Sequence, residues 1–192
     1  MSTIVGVILA GGRSRRMGRE KATLAWPGGG TMIDRVATTL QSVCDEVIVS
    51  GVTTGVPELP RIPDEHDDAG PLAGLAAVLA CGRADAYLVC PCDTPNVTSA
   101  TLRRLLTVTP AAATIFRVAD EPRPRPLPLR IDTAALPVIR RRLEAGERTV
   151  LDALEEAGVE VVTLADGAEL ANVNTPEDYE RLVKPQSRDR PS

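Results

Sequence analysis

The sequence predicts an α/β fold: a single domain built on a mostly parallel sheet with helices on both faces. Three observations point there. Short apolar runs alternate with amphipathic stretches along the whole chain, which is the pattern of strand–helix–strand units in a covered parallel sheet. Hydrophobic residues make up 43% of 192 residues and charged residues 25%, enough for one sizeable core and ordinary for a globular domain. No internal repeat and no second core interrupts the alternation.

The elements follow in order. Residues 4–10 form an apolar run bounded by glycines and read as a strand. Residues 31–43 are a helix, with Met32, Val36, Leu40 and Val43 on one face. Residues 46–50 are a second strand, residues 70–80 a helix and residues 86–90 a buried strand. Residues 99–106 are helical and residues 113–118 strand-like. The segment 121–128 is rich in proline (EPRPRPLP) and reads as a surface connection. Residues 133–144 and 149–157 read as helices, with a strand over 159–164. The last helix covers 175–183. Its start is well marked, because Thr175 can cap, Pro176 suits the first turn and Asp178 stands where a capping-box acid belongs. Residues 1–184 form the domain, and the polar residues 185–192 are expected to be a disordered tail.

Composition excludes several classes. The net charge is −4, so no basic surface favours nucleic acid. Trp26, Phe116, Tyr87 and Tyr179 are the only aromatics, too few to stack bases along a strand. No apolar run approaches the roughly 18 residues of a membrane span. Cys44, Cys81, Cys90 and Cys92 follow no secretory signal and are read as reduced thiols of a cytoplasmic protein. Cys90 and Cys92 could pair on a metal, but zinc needs more ligands and His66 is the only histidine. The pair is read as small apolar residues flanking a strand end.

Ligands of such sheets bind beyond the carboxyl ends of the strands, and that is where the chemistry-bearing residues fall. After the first strand comes LAGGRSRRMGREK, Leu9 to Lys21. Gly11 and Gly12 let the backbone bend and approach a ligand, and successive N–H groups can cradle phosphate oxygens. Arg13, Arg15, Arg16, Arg19 and Lys21 place five cations within nine residues of an acidic chain. The motif is neither a Walker A loop nor the dinucleotide fingerprint. It fits an anion site, with a solvated basic loop as the plainer alternative.

After the strand at 86–90 comes PCDTP, Pro91 to Pro95. Asp93 sits between prolines at a strand end, either as a magnesium ligand or as a turn-capping acid. In DEHDDAGPLAG, Asp64, Asp67 and Asp68 precede a Gly-Pro helix start, where acids also favour the helix dipole. In NVNTPED, Asn172 and Asn174 alternate, so an extended segment puts both on one side. They could bind metal-held water or phosphate, or serve the local turn.

Taken together, LAGG-x-S-x-RMG-x-x-K, GPLAG, PCDTP and N-x-NTPED, with GERTVLDAL at 146–154, resemble the molybdenum cofactor guanylyltransferase (MobA) family. The resemblance runs from about residue 4 to residue 179. It implies a Rossmann-like nucleotidyltransferase fold that transfers GMP from GTP to molybdopterin and releases pyrophosphate. It implies that Leu9, Ala10, Gly11 and Gly12 contact the nucleotide, with Asp64 as a further nucleotide-binding acid. Arg16 and Lys21 would neutralise phosphate charge, Asp93 would hold Mg2+, and Asn172 and Asn174 would lie by the acceptor or the metal's water. Expected partners are GTP and molybdopterin, with transient contact to molybdopterin-handling proteins or recipient molybdoenzymes, and neither nucleic acid nor membrane.

Three departures from the family pattern stand out. RMGREK places Lys21 one residue nearer the arginine than in some relatives. Ser50 occupies a position where relatives often carry asparagine. Residues 122–130 replace a Pro-Leu-aromatic pattern. The rival readings are a cytidylyltransferase, another small-phosphate nucleotidyltransferase and a catalytically silent nucleotide-binding regulator. The first tends to show A-A-G and D-Q-P where this chain has LAGG and DTP.

Overall fold

The computed structural model describes residues 3–10, 21–62, 70–107 and 111–183. Seven strands form one sheet in the order β3-β2-β1-β4-β6-β5-β7. They are β1 (Ile4–Leu9), β2 (Glu46–Ser50), β3 (Arg61–Ile62), β4 (Ala86–Pro91), β5 (Ala113–Val118), β6 (Arg125–Asp132) and β7 (Val159–Leu164). The helices are α1 (Met32–Gln41), α2 (Gly70–Ala80), α3 (Ser99–Leu106), α4 (Leu136–Glu144), α5 (Val150–Ala157) and α6 (Pro176–Val183). β1 pairs in parallel with β2 on one side and β4 on the other, so the strand order reverses at β1. A crevice opens at such a reversal, beyond the carboxyl ends of the strands.

Strand alternation divides the core in two. Val5 and Val7 of β1 and Tyr87 and Val89 of β4 face α2, α4 and α5, through Leu72, Leu75, Ile139 and Leu154. Ile8, Leu88 and Cys90 face α1 and α3, through Ile33, Val36, Leu40, Leu102 and Leu105. Both faces are covered, as the near-continuous apolar strands require. Gly6 explains how closely α1 approaches: a Cβ there would stand 3.1 Å from Cys44 Sγ and 3.3 Å from Leu40 Cβ. Thr31 caps α1 in a full capping box with Asp34.

The proline-rich segment departs from the expectation of a surface connection. Arg125–Asp132 is a strand, β6, antiparallel to both β4 and β5. Its prolines escape the ladder. Pairing with β4 engages residues 129–132, while pairing with β5 shifts register between Ile115 and Phe116, leaving Pro126 and Pro128 in the irregular stretch. Proline lacks an N–H and is tolerated in a sheet at such a bulge. Among the described residues, β6 is therefore the one antiparallel strand in a mostly parallel sheet. The two-residue edge strand β3 was too short to register as a period.

A third cluster lies apart from these layers. Leu24, Trp26, Met32 and Val173 are buried together, with Tyr179, Leu182 and Val183 of α6 against them. Trp26 and Tyr179 meet edge to face at 6.3 Å, and the Tyr179 hydroxyl donates to the Ala25 carbonyl. Among the described residues, no helix is long and apolar enough to cross a membrane.

Candidate active site

The site is assembled where β1 and β4 end side by side. Leu9 lies in register with Ser50 of β2 and Pro91 of β4. Its carbonyl accepts a bond from the Cys92 N–H at 3.2 Å, and the Ala10 N–H donates to the Ser50 carbonyl at 2.8 Å. Three strand ends are thereby tied together just where the glycine-rich loop departs. Gly11, Gly12, Arg16 and Asp64 lie outside the described residues, as does the side chain of Lys21. The backbone of Lys21 opens a 3-10 turn, Lys21–Thr23. That turn leads directly into Leu24 and Trp26 of the satellite core.

The PCDTP turn is set rigidly. The Thr94 N–H donates to the Pro91 carbonyl at 3.3 Å, and the Val97 N–H to the Thr94 carbonyl at 3.3 Å. Asp93 is half-buried, with its Oδ1 shielded from solvent. This places a carboxylate oxygen at the carboxyl end of the strand beside β1.

The NVN segment closes against that turn. The Val173 N–H donates to the Asp93 carbonyl at 2.9 Å. The Thr94 hydroxyl donates to Asn172 Oδ1 at 3.0 Å. Two bonds thus join segments 78 residues apart in sequence. Asn172 and Asn174 are exposed while Val173 between them is fully buried, the alternation expected of an extended segment with both amides on one side. α6 then fixes the exit. Asp178 Oδ2 accepts from the backbone N–H groups of Asn174 and Thr175, each at 3.0 Å, and the Asp178 N–H donates to Thr175 Oγ1 at 3.1 Å. The Asn174 N–H in particular holds the Asp178 carboxyl below its ordinary range.

Ser50 is fully buried, and its hydroxyl points to the Gly74 carbonyl in α2, a long contact at 3.5 Å. The hydroxyl thus faces the α2 side of β2. Cys90 and Cys92 are buried, and burial pushes the Cys90 thiol well up from its ordinary value, with Asp93 adding to the effect. A neutral thiol is a poor metal ligand, and among the described residues no three His, Cys, Asp or Glu side chains could hold an ion. The reading of this pair as small apolar residues fits their surroundings.

Sequence reasoning named Asp93, Asn172 and Asn174 but missed Thr94 and Val173, which hold them. The alternation of N-V-N was the available signal for Val173. Nothing in the sequence marked the bond from Thr94 to a residue so distant.

A strand-order reversal that brings the end of β1, a strand-end carboxylate and two exposed amides together fits the frame of an α/β nucleotidyltransferase. The chain belongs to the MobA-like NTP transferase domain family, whose model matches residues 6–159. It is 38% identical to a molybdenum cofactor guanylyltransferase of Xanthomonas euvesicatoria pv. vesicatoria, over 93% of each chain. It is 32% identical to a probable molybdenum cofactor guanylyltransferase of Mycobacterium marinum, over 95% of this chain and 94% of that one. The fold is shared with molybdopterin-guanine dinucleotide biosynthesis protein A of Archaeoglobus fulgidus, with a TM-score of 0.77 at 24% identity over 94% and 96% of the chains. It is also shared with a manganese complex of Rv0371c from Mycobacterium tuberculosis, with a TM-score of 0.66 at 20% identity over 95% and 98%.

Proposed function

We propose that this enzyme transfers GMP from GTP to the terminal phosphate of molybdopterin, forming the guanine dinucleotide of the cofactor and releasing pyrophosphate. The observation that carries the proposal is the joining of the PCDTP turn to the NVN segment, Asp93 carbonyl to Val173 N–H, at the strand-order reversal beside Leu9 and Ala10. The names of relatives at 38% and 32% identity support the choice of GTP and molybdopterin.

The donor set fits a hard cation. Asp93 and the amide of Asn174 offer oxygen, while Asn172 Oδ1 is engaged by Thr94, and burial keeps the nearby Cys90 thiol neutral. Magnesium prefers oxygen ligands, needs only one or two carboxylates and shares its shell with substrate phosphates and water. Asp93 would hold it. When bound, the ion supplies charge neutralisation on the triphosphate and polarisation of the α-phosphate.

The chain's own part is positioning. Transfer of this kind needs alignment and electrostatic support more than a protein nucleophile. Leu9, Ala10, Gly11 and Gly12 are assigned to the nucleotide, and Asp64 to a further polar contact with it. Lys21 and Arg16 offset charge that moves onto the departing pyrophosphate. Asn172 and Asn174 border the acceptor phosphate, which is already ionised near neutral pH and attacks without a general base. The reaction is placed in the cytoplasm, where thiols stay reduced.

Pyrophosphate release with each of the four common nucleoside triphosphates, with and without molybdopterin, tests the proposal. Release with GTP and acceptor together is expected. Release that ignores the acceptor, or that prefers CTP, overturns it.

A further inference from the structure

We infer that Thr94 is a positioning residue that orients Asn172, so that Asn172 donates its amide N–H groups to the reacting phosphates and does not ligate the metal. The inference rests on the phosphate-transfer reading of this site and assigns one amide within it.

The geometry begins with burial. Thr94 is fully buried in the turn after β4, so its hydroxyl cannot reach a ligand in the crevice. It donates to Asn172 Oδ1 at 3.0 Å. A buried hydroxyl that lacks its partner is costly, so the bond holds the Asn172 amide in place, here with Oδ1 toward Thr94. Asn172 itself is exposed. With one lone pair of Oδ1 engaged by Thr94, the –NH2 remains to supply a pair of donors, with no lone pair for a cation. The backbone removes the remaining slack. The Val173 N–H is held by the Asp93 carbonyl at 2.9 Å, and the Val173 side chain is fully buried against Leu24, Trp26 and Met32. Asn172 is therefore fixed at its side chain through Thr94 and at its backbone through the next residue. Both anchors belong to the turn that carries Asp93. An amide held in this way presents donors beside the carboxylate assigned to the metal. An anionic oxygen of a phosphate is the ligand chemistry that uses a fixed N–H donor in such a place.

Three variants test this in single-turnover transfer at saturating nucleotide, each as a ratio to wild type with the triphosphate that wild type uses. Thr94→Val keeps the shape and removes the hydroxyl; the expected loss in rate is about 10- to 100-fold, the usual cost of deleting a supporting hydrogen bond behind a site residue. Thr94→Ser restores the hydroxyl and should recover the rate to within about threefold of wild type. The magnesium concentration for half-maximal rate should stay within about twofold for both, because the metal's carboxylate is untouched. Asn172→Asp keeps an oxygen for Thr94 but replaces the donors with an anion. It should lower the rate sharply without lowering the magnesium requirement. An unchanged rate in Thr94→Val overturns the inference, and so does recovery of that rate by excess magnesium. An Asn172→Asp protein that needs less magnesium than wild type makes Asn172 a metal ligand and also overturns it. Because Asn172 is exposed, this arm stands even where Thr94→Val fails to fold. A wild type that uses CTP overturns the proposed nucleotide and leaves these ratios meaningful; a wild type inactive with every triphosphate overturns both.

Discussion

Val173→Ala should loosen the site from below. Val173 is fully buried in the satellite core with Leu24, Trp26 and Met32. The substitution deletes two methyl groups. At about 0.8 kcal/mol for each buried carbon, the lost transfer energy is about 1.6 kcal/mol. A residual cavity of roughly 50 Å3, at about 24 cal/mol per Å3, adds about 1 kcal/mol if the site does not collapse. The expected destabilisation is therefore about 2–3 kcal/mol, or a melting temperature lower by about 4–12 °C for a chain of this size. The main-chain bond from Val173 to the Asp93 carbonyl does not depend on the side chain and should persist. Turnover at saturating GTP, well below the melting temperature, should thus fall by less than about tenfold, far less than for loss of a group that contacts phosphate. Thermal unfolding followed by circular dichroism, with single-turnover rates on the same protein, checks both parts. A melting temperature within about 1 °C of wild type would refute the claim that Val173 anchors the NVN segment.

The remaining predictions concern charges. Asp93→Ala should abolish magnesium-dependent transfer while leaving the fold intact; normal turnover by the folded variant would remove Asp93 from the metal site. Lys21→Ala should slow single-turnover transfer by about 10²–10³-fold at saturating GTP and molybdopterin, by analogy with losing one donor at a developing charge, and a rate within about threefold of wild type would make Lys21 a bystander. Asp178 has a lowered pKa in the folded state, chiefly through the Asn174 N–H. Its stabilisation is then full above the unfolded value of about 3.9 and is lost as pH falls through the lower folded value. The gap in melting temperature between wild type and Asp178→Asn should be widest near neutral pH and narrow as pH falls below the unfolded value of about 3.9. A gap that stays constant over that range contradicts the assignment.

The parallel layers were legible because strand and helix periods are strong local signals. Residues 46–50, 70–80, 99–106, 113–118 and 159–164 fall where the sequence put them. β6 was not legible, since Pro124, Pro126 and Pro128 argue locally against a strand. Only the register shift opposite β5 makes room for them. At the site, Asp93, Asn172 and Asn174 could be named from motif and position. Thr94 could not, because its significance is a hydrogen bond to a residue 78 positions away. Val173 carried a local hint in its alternation with two asparagines, but its partners Leu24, Trp26 and Met32 come from another part of the chain. What the sequence withheld was tertiary closure, in which a small separate core joins the turn after the glycine-rich loop to the asparagine segment.

The most direct measurement follows the α-phosphorus. With GTP labelled there, incubated with magnesium and molybdopterin, the label should appear in a molybdopterin dinucleotide, with one pyrophosphate released for each product formed. CTP labelled in the same way should transfer less well by about 1–3 kcal/mol, the scale of a few discriminating polar contacts. Label recovered as free GMP, or efficient transfer from CTP with none from GTP, would contradict the account.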